Sequence, residues 1–328
     1  MGSNNSVPVF WNMRNCVGIF IVFLLSACGP RGGKIAAPAV REFPSVDVPV
    51  MLEDPAERTV YATTHFWDRF TDTAQVYACD SLTVNGVPVE AVESQVGLFT
   101  TLAAQIPLSQ GTAAMARLYD RLDAFERKYP DSNVFEEMVR LVSRYLYDAN
   151  SPVRSEDLYL PFVERLGASD LIDNGYRMGY EWDARNCRKN RLGTRAADFS
   201  FTDTAGRIRT LYGINAEFVV LIFANPGCGA CQEITAAMSA SPEISSLIRS
   251  GRLKVVDVYI DQEIDDWKAH VSEYPADWIN GYDHDYLIRS VLIYNVRAIP
   301  SIYLLDAEKT VLMKDAPQEK VLQALAAL

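Results

Sequence analysis

The sequence predicts an α/β fold, a mixed sheet flanked by helices, behind an N-terminal all-α helical domain. Three observations carry this. Apolar residues recur every three or four positions through the first half, the period shortens to two past Arg191, and a continuously apolar run, Phe218 to Phe223, lies within that second half. Helical spacing gives helices packed on one another, alternation gives half-buried strands, and an unbroken apolar run gives a strand buried on both faces.

The size fits. At 328 residues the chain exceeds one typical domain, and 49% hydrophobic with 22% charged content suits a protein that buries real cores. A net charge of −11 argues against nucleic acid, whose phosphates call for a surplus of Lys and Arg.

The amino terminus speaks to location. Val17 to Ala27 is continuously apolar or small and follows Arg14. It is too short to span a bilayer, which takes about 20 residues, but suits the core of a signal peptide. Leu25-Ser26-Ala27-Cys28 resembles the bacterial lipobox, so residues 1–28 are expected to be a lipoprotein signal peptide and Cys28 the lipidated residue. A buried helix ending in an incidental cysteine is the alternative. Met13 is a second candidate start, and a myristoylation pattern at Met1-Gly2 through Ser6 would only duplicate the lipid signal. The expected location is the periplasmic face of a bacterial membrane, with the bilayer a partner through Cys28.

Residues 29–50, rich in Gly, Pro and Ala, read as a flexible tether, and residues 51–190 as the helical domain. Asp54-Pro55-Ala56-Glu57 combines a capping residue, a proline at the first helical position and an acid in the first turn. Met115, Leu118, Leu122 and Phe125 form one apolar stripe, and Phe135, Met138, Val142 and Tyr145 form another beyond the break Pro130-Asp131-Ser132-Asn133. Aromatic residues at this spacing serve core packing better than a peptide groove.

Residues 191–328 supply the sheet. Phe199 to Thr202 and Arg207 to Tyr212 alternate around Asp203-Thr204-Ala205-Gly206, a hairpin. After Phe218 to Phe223 come a helix from Glu233, another from Ser241-Pro242-Glu243 to Gly251, the strand Leu253 to Ile260, a helical insertion around Asp265 to Ser272, the strands Ser301 to Leu305 and Thr310 to Met313, and a closing helix from Gln318. The order read is β-β-β-α-β-α-β-β-α.

Between the central strand and its helix stands Asn225-Pro226-Gly227-Cys228-Gly229-Ala230-Cys231. A thiolate at Cys228 would face unpaired backbone N–H groups and the positive end of the helix dipole, which lowers its pKa and makes it the attacking sulfur. Cys231, one turn on, is placed to resolve the mixed disulfide. Pro300 opens a strand, where its missing donor is tolerated, and a cis Ile299–Pro300 bond would leave the Ile299 backbone free to pair with an extended substrate. Ile299, Pro300, Gly227 and Pro226 are the expected substrate groove.

These residues resemble the thioredoxin superfamily. Cys228-Gly229-Ala230-Cys231, the Ile299-Pro300 step and the terminal hairpin and helix look like its membrane-tethered bacterial branch typified by TlpA and ResA. Gly193 to Phe199 resembles the opening motif of that branch, with Ala197 where proline is usual, and the insertion carrying Trp267, Trp278 and Tyr286 is similar to it too. The resemblance implies a thioredoxin-like sheet and a thiol-disulfide oxidoreductase working more in the reductive direction. The helical domain is similar to the uncharacterised domain preceding thioredoxin-like domains in some bacterial lipoproteins. Gly227 replaces the tryptophan of thioredoxin, Ile222 falls where its buried acid lies, and Glu233 is one position from the active-site glutamate of ResA-like proteins. Proton transfer at Cys231 is therefore unassigned.

The expected cofactor is none beyond the redox-active pair itself. Expected partners are protein disulfides and a membrane or periplasmic electron donor. Structural zinc would want four ligands, and no second CxxC or paired His accompanies these two, so no metal is expected. A fixed CxxC staple is strained and easily reduced. A peroxiredoxin would need its Thr-x-x-Cys pattern. A non-enzymatic envelope scaffold using the same fold is the reading from another class. In an oxidising compartment Cys79 and Cys187 remain, either bridged as a structural disulfide or free.

Overall fold

The computed structural model describes residues 40–328 apart from Ala78. The expected signal peptide, Cys28 and residues 29–39 lie outside the described residues. Residues 40–50 have no regular structure but are not a free tether. Arg41 N donates to Gly86 O at 2.9 Å, and Phe43 packs among Phe66, Trp67 and Phe70 at ring-centroid distances of 5.3–5.8 Å. Apolar side chains inside a Pro-rich stretch make it adhere to the helices it precedes.

Asp54 caps α1 (Pro55–Thr64), accepting from Ala56 N at 3.0 Å. The chain then forms an antiparallel ladder, β1 (Thr83–Val84) with β2 (Val87–Pro88), so this half is not purely helical. Asn85 and Gly86 between them have φ of 48° and 77°, the left-handed pair a two-residue hairpin turn demands. Five helices follow: α2 (Val89–Gln105), α3 (Leu108–Lys128), α4 (Val134–Leu146), α5 (Glu156–Ala168) and α6 (Asn174–Cys187). Met115, Leu118, Leu122 and Phe125 are fully buried along α3 and meet Phe135, Met138 and Val142 of α4 in one core. Each such side chain stabilises the fold by about 1.5–3 kcal/mol on leaving water.

Cys79 and Cys187 are both free thiols, which corrects the disulfide alternative. Cys187 is buried at the end of α6, whereas Cys79 lies part-exposed in the loop before β1.

The second half is built on β3 (Ser200–Asp203), β4 (Ile208–Thr210), β5 (Phe218–Ala224), α7 (Gly229–Ala240), α8 (Pro242–Arg249), β6 (Leu253–Tyr259), α9 (Ile264–His270), β7 (Ile279–Tyr282), α10 (Leu287–Ser290), β8 (Ser301–Asp306), β9 (Val311–Met313) and α11 (Gln318–Ala326). They form one mixed sheet of order β4-β3-β7-β6-β5-β8-β9. Central β5 runs parallel to β6 and antiparallel to β8, which is why its seven residues show no polar face. Val219, Leu221 and Phe223 pack on one side with Tyr294 and Tyr303, and Val220, Ile222 and Ala224 on the other with Cys231, Ile234 and Met238.

Strand β7 is absent from the sequence reading because Asn280-Gly281 breaks its alternation. The glycine is required. A Cβ on Gly281 would stand 2.6 Å from Phe201 Cδ2 and 2.7 Å from the Thr202 carbonyl of neighbouring β3.

Candidate active site

β5 ends at Ala224, and Asn225-Pro226-Gly227 carries the chain to Cys228, the N-cap of α7. Cys228 and Cys231 are joined as a disulfide with Cα atoms 5.2 Å apart. Cys228 is half-buried, while Cys231 is 5% exposed and packs with Trp278 and Ile234 under the sheet. Cys228 Sγ accepts from Cys231 N at 3.1 Å. A thiolate on this atom would keep that donor and gain the attraction of the helix terminus, an arrangement that favours the charged form at the outer sulfur. Gly227 has φ of 73° with nothing within 4 Å of a would-be Cβ. A residue with a Cβ would be strained there by the backbone rather than by its neighbours.

The opposite wall is the Ile299–Pro300 bond, which is cis and leads into β8. Ile299 O lies 3.9 Å from Cys228 Sγ. Of the four expected groove residues, Ile299 thus meets the outer cysteine, Pro300 follows it, and half-buried Pro226 and exposed Gly227 lead into the cysteine from the other side. Behind Cys228, Asn225 Nδ2 donates to Asp261, whose other oxygen accepts from Arg289 Nε at 2.9 Å. Arg289 Nη1 donates to Val296 O at 3.3 Å, linking both walls through one carboxylate.

A carboxylic acid stands where sequence reasoning did not look. Asp257 on β6 is 2% exposed and pairs in register with Ile222 of β5, on the face where Cys231 packs. Burial pushes its carboxyl from 3.8 up to about 7. The signal was an acid at an inward position of a strand, Leu253 to Ile260, that is apolar apart from Asp257 and part-exposed Lys254. Glu233, by contrast, is exposed on α7. Trp267 packs on Tyr282 at 5.1 Å, and Tyr286 opens α10 with φ of 55°. His65 bonds Asp68 at 2.7 Å and His284 bonds Thr202 at 3.1 Å. Among the described residues no three His, Cys, Asp or Glu side chains converge on a point that a metal could occupy.

A thioredoxin-like protein from Bacteroides caccae is 32% identical to this chain, superposes with a TM-score of 0.76, and is matched over 88% of this chain and 99% of its own. The chain belongs to the thioredoxin-like proteins. Within this thioredoxin-like protein, residues 30–190 match the domain of unknown function DUF5106. The C-terminal domain of an uncharacterized protein from Bacteroides fragilis is 46% identical, with a TM-score of 0.41 over 42% of this chain and 98% of that one. A conserved protein of unknown function from Bacteroides fragilis is 30% identical, with a TM-score of 0.40 over 41% and 98%. No curated protein matches the thioredoxin-like chain.

Proposed function

We propose that this protein is a thiol-disulfide oxidoreductase of the TlpA/ResA type, anchored by lipid at Cys28 on the periplasmic face of a bacterial membrane and reducing protein disulfides. The observation that carries the chemistry is the half-buried Cys228 at the start of α7, bridged to buried Cys231 and facing the Ile299 carbonyl at 3.9 Å. In the reduced protein, the Cys228 thiolate attacks one sulfur of the substrate disulfide, forms a mixed disulfide and expels one substrate thiolate. The Cys231 thiolate then attacks Cys228 Sγ, closes the internal disulfide and releases the second substrate thiolate. Two electrons pass to the substrate, and a dithiol donor restores the pair. Asp257, with its carboxyl pushed up to about 7, lies on the Cys231 face: its ionised form, present around and above that pH, takes the Cys231 proton during resolution and gives it back later.

The test is reduction of insulin by the purified protein with dithiothreitol as donor. Cys228→Ser abolishes turnover, and Cys231→Ser accumulates a mixed disulfide visible on a non-reducing gel. Turnover persisting in Cys228→Ser overturns the assignment. Membrane fractionation of Cys28→Ala tests the anchor, which fails if the variant stays with the membrane.

A further inference from the structure

Two residues at the start of α5 reach from the helical half to the segment that leads into β8. Glu156 Oε1 accepts from Asn295 Nδ2 at 2.6 Å and from Arg297 Nε at 3.0 Å, and Lys314 Nζ stands 2.7 Å from its Oε2. Arg297 Nη2 donates to Asp315 Oδ2 at 2.9 Å, and Asp315 Oδ1 accepts from the Ser301 hydroxyl at 2.8 Å. Arg154 Nε donates to the Asp315 carbonyl at 2.8 Å. Arg297 and Ser301 flank the Ile299–Pro300 turn, so both ends of the wall facing Cys228 are tied to this network.

The network is too buried to be surface decoration. Side-chain exposure is 1% for Glu156, 2% for Lys314, 6% for Asp315 and 12% for both Arg154 and Arg297. Apolar packing would seal the same boundary at least as stably, because desolvating charges offsets much of their attraction. What bonded charges add is fixed geometry. Asp315 shows it: a non-glycine residue at φ of 43°, a conformation that persists only where surroundings over-determine it. Arg297 is fixed further by lying over the Tyr147 ring at 4.4 Å.

We infer that Arg154 and Glu156 are positioning residues for the redox site: through Arg297, Asp315 and Ser301 they hold the Ile299–Pro300 turn against Cys228. The helical half thereby governs the reactivity of a cysteine in the other half. This rests on the thiol-disulfide chemistry proposed above.

The experiment compares wild type, Glu156→Gln, Arg154→Met and a control, Asp157→Asn, as full-length protein in detergent. Asp157 shares the start of α5 and is 2% exposed, but its bonds run to Arg191 Nε at 3.1 Å and Leu192 N at 3.3 Å, away from the turn. Three quantities are measured: the thermal midpoint, the pH profile of Cys228 alkylation by iodoacetamide in reduced protein, and kcat/KM for insulin reduction. Glu156→Gln and Arg154→Met are expected to displace the alkylation profile and lower kcat/KM by about tenfold, since small displacements of a reacting group cost rate steeply. Asp157→Asn is expected to lower the midpoint alone. Unchanged profile and kinetics in the first two variants, or equal changes in the control, overturn the inference. Should Glu156→Gln not fold, Arg154→Met decides, because it leaves Asp315 paired with Arg297. Displaced alkylation in a protein whose wild type reduces no insulin would sink the proposed activity and leave the positioning role standing.

Discussion

Asp257 lies directly beside Ile222, in register on adjacent parallel strands, and so faces the same layer as Cys231. A carboxyl in that place has a thermodynamic signature. At low pH both folded and unfolded chains carry the neutral acid. Between the ordinary 3.8 and about 7, only the unfolded chain gives up the proton, so stability falls as pH rises through this window and levels off above it. Wild type should lose up to about 4 kcal/mol between about pH 4 and pH 8 from this group, and Asp257→Asn should lack that component. Urea unfolding across the range measures it. Parallel pH curves for the two proteins would show that Asp257 is ionised in the folded state.

The same variant separates the two chemical steps. If Asp257 takes the Cys231 proton, Asp257→Asn slows release of the second substrate thiol by about a hundredfold near neutral pH, while mixed-disulfide formation by Cys228 is little changed. Rapid-quench mass spectrometry resolves the two. Equal slowing of both steps counts against a proton role.

Gly227 and Gly281 should both resist a side chain, for different physical reasons. Gly227→Ala meets empty space but keeps φ at 73°, so it should cost about 1–2 kcal/mol by thermal denaturation. Gly281→Ala has an ordinary backbone but drives Cβ into Phe201 and the Thr202 carbonyl, forcing β3 from β7 at a cost of about 3 kcal/mol. A smaller loss at Gly281 than at Gly227 would mean the two strands part easily.

The free thiols should differ in access. Burial pushes the Cys187 thiol well above its usual range and closes it to reagent, while Cys79 is part-exposed. Iodoacetamide applied to the native, unreduced protein should label Cys79 and leave Cys187 untouched until denaturant is added, as peptide mapping will show. Resistance of both in denaturant would mean that the two are bridged.

Much of this was legible in the amino-acid order, because local periodicity reports which face of an element is buried. The stripes of α3 and α4, the cap at Asp54, the apolar β5 and the Cys228–Cys231 pair ahead of α7 all follow from spacing within one turn or one strand. So does the choice of Cys228 as the outer sulfur, since a helix start exposes its N-cap and buries the residue one turn on.

What lay beyond the sequence depends on contacts between distant segments. No local pattern sets Asp257 beside Ile222, because strand register is fixed by the whole sheet. No periodicity announces β7, whose Gly281 answers to a neighbour about 80 residues earlier rather than to its own strand. The bond from Glu156 to Arg297 joins residues 141 positions apart, and only the packing of the helical half on the sheet brings them together. The sequence determined which sulfur stands at the start of the helix. Tertiary structure decided what stands around it, because a buried charge is tolerated only where the rest of the chain supplies its partners.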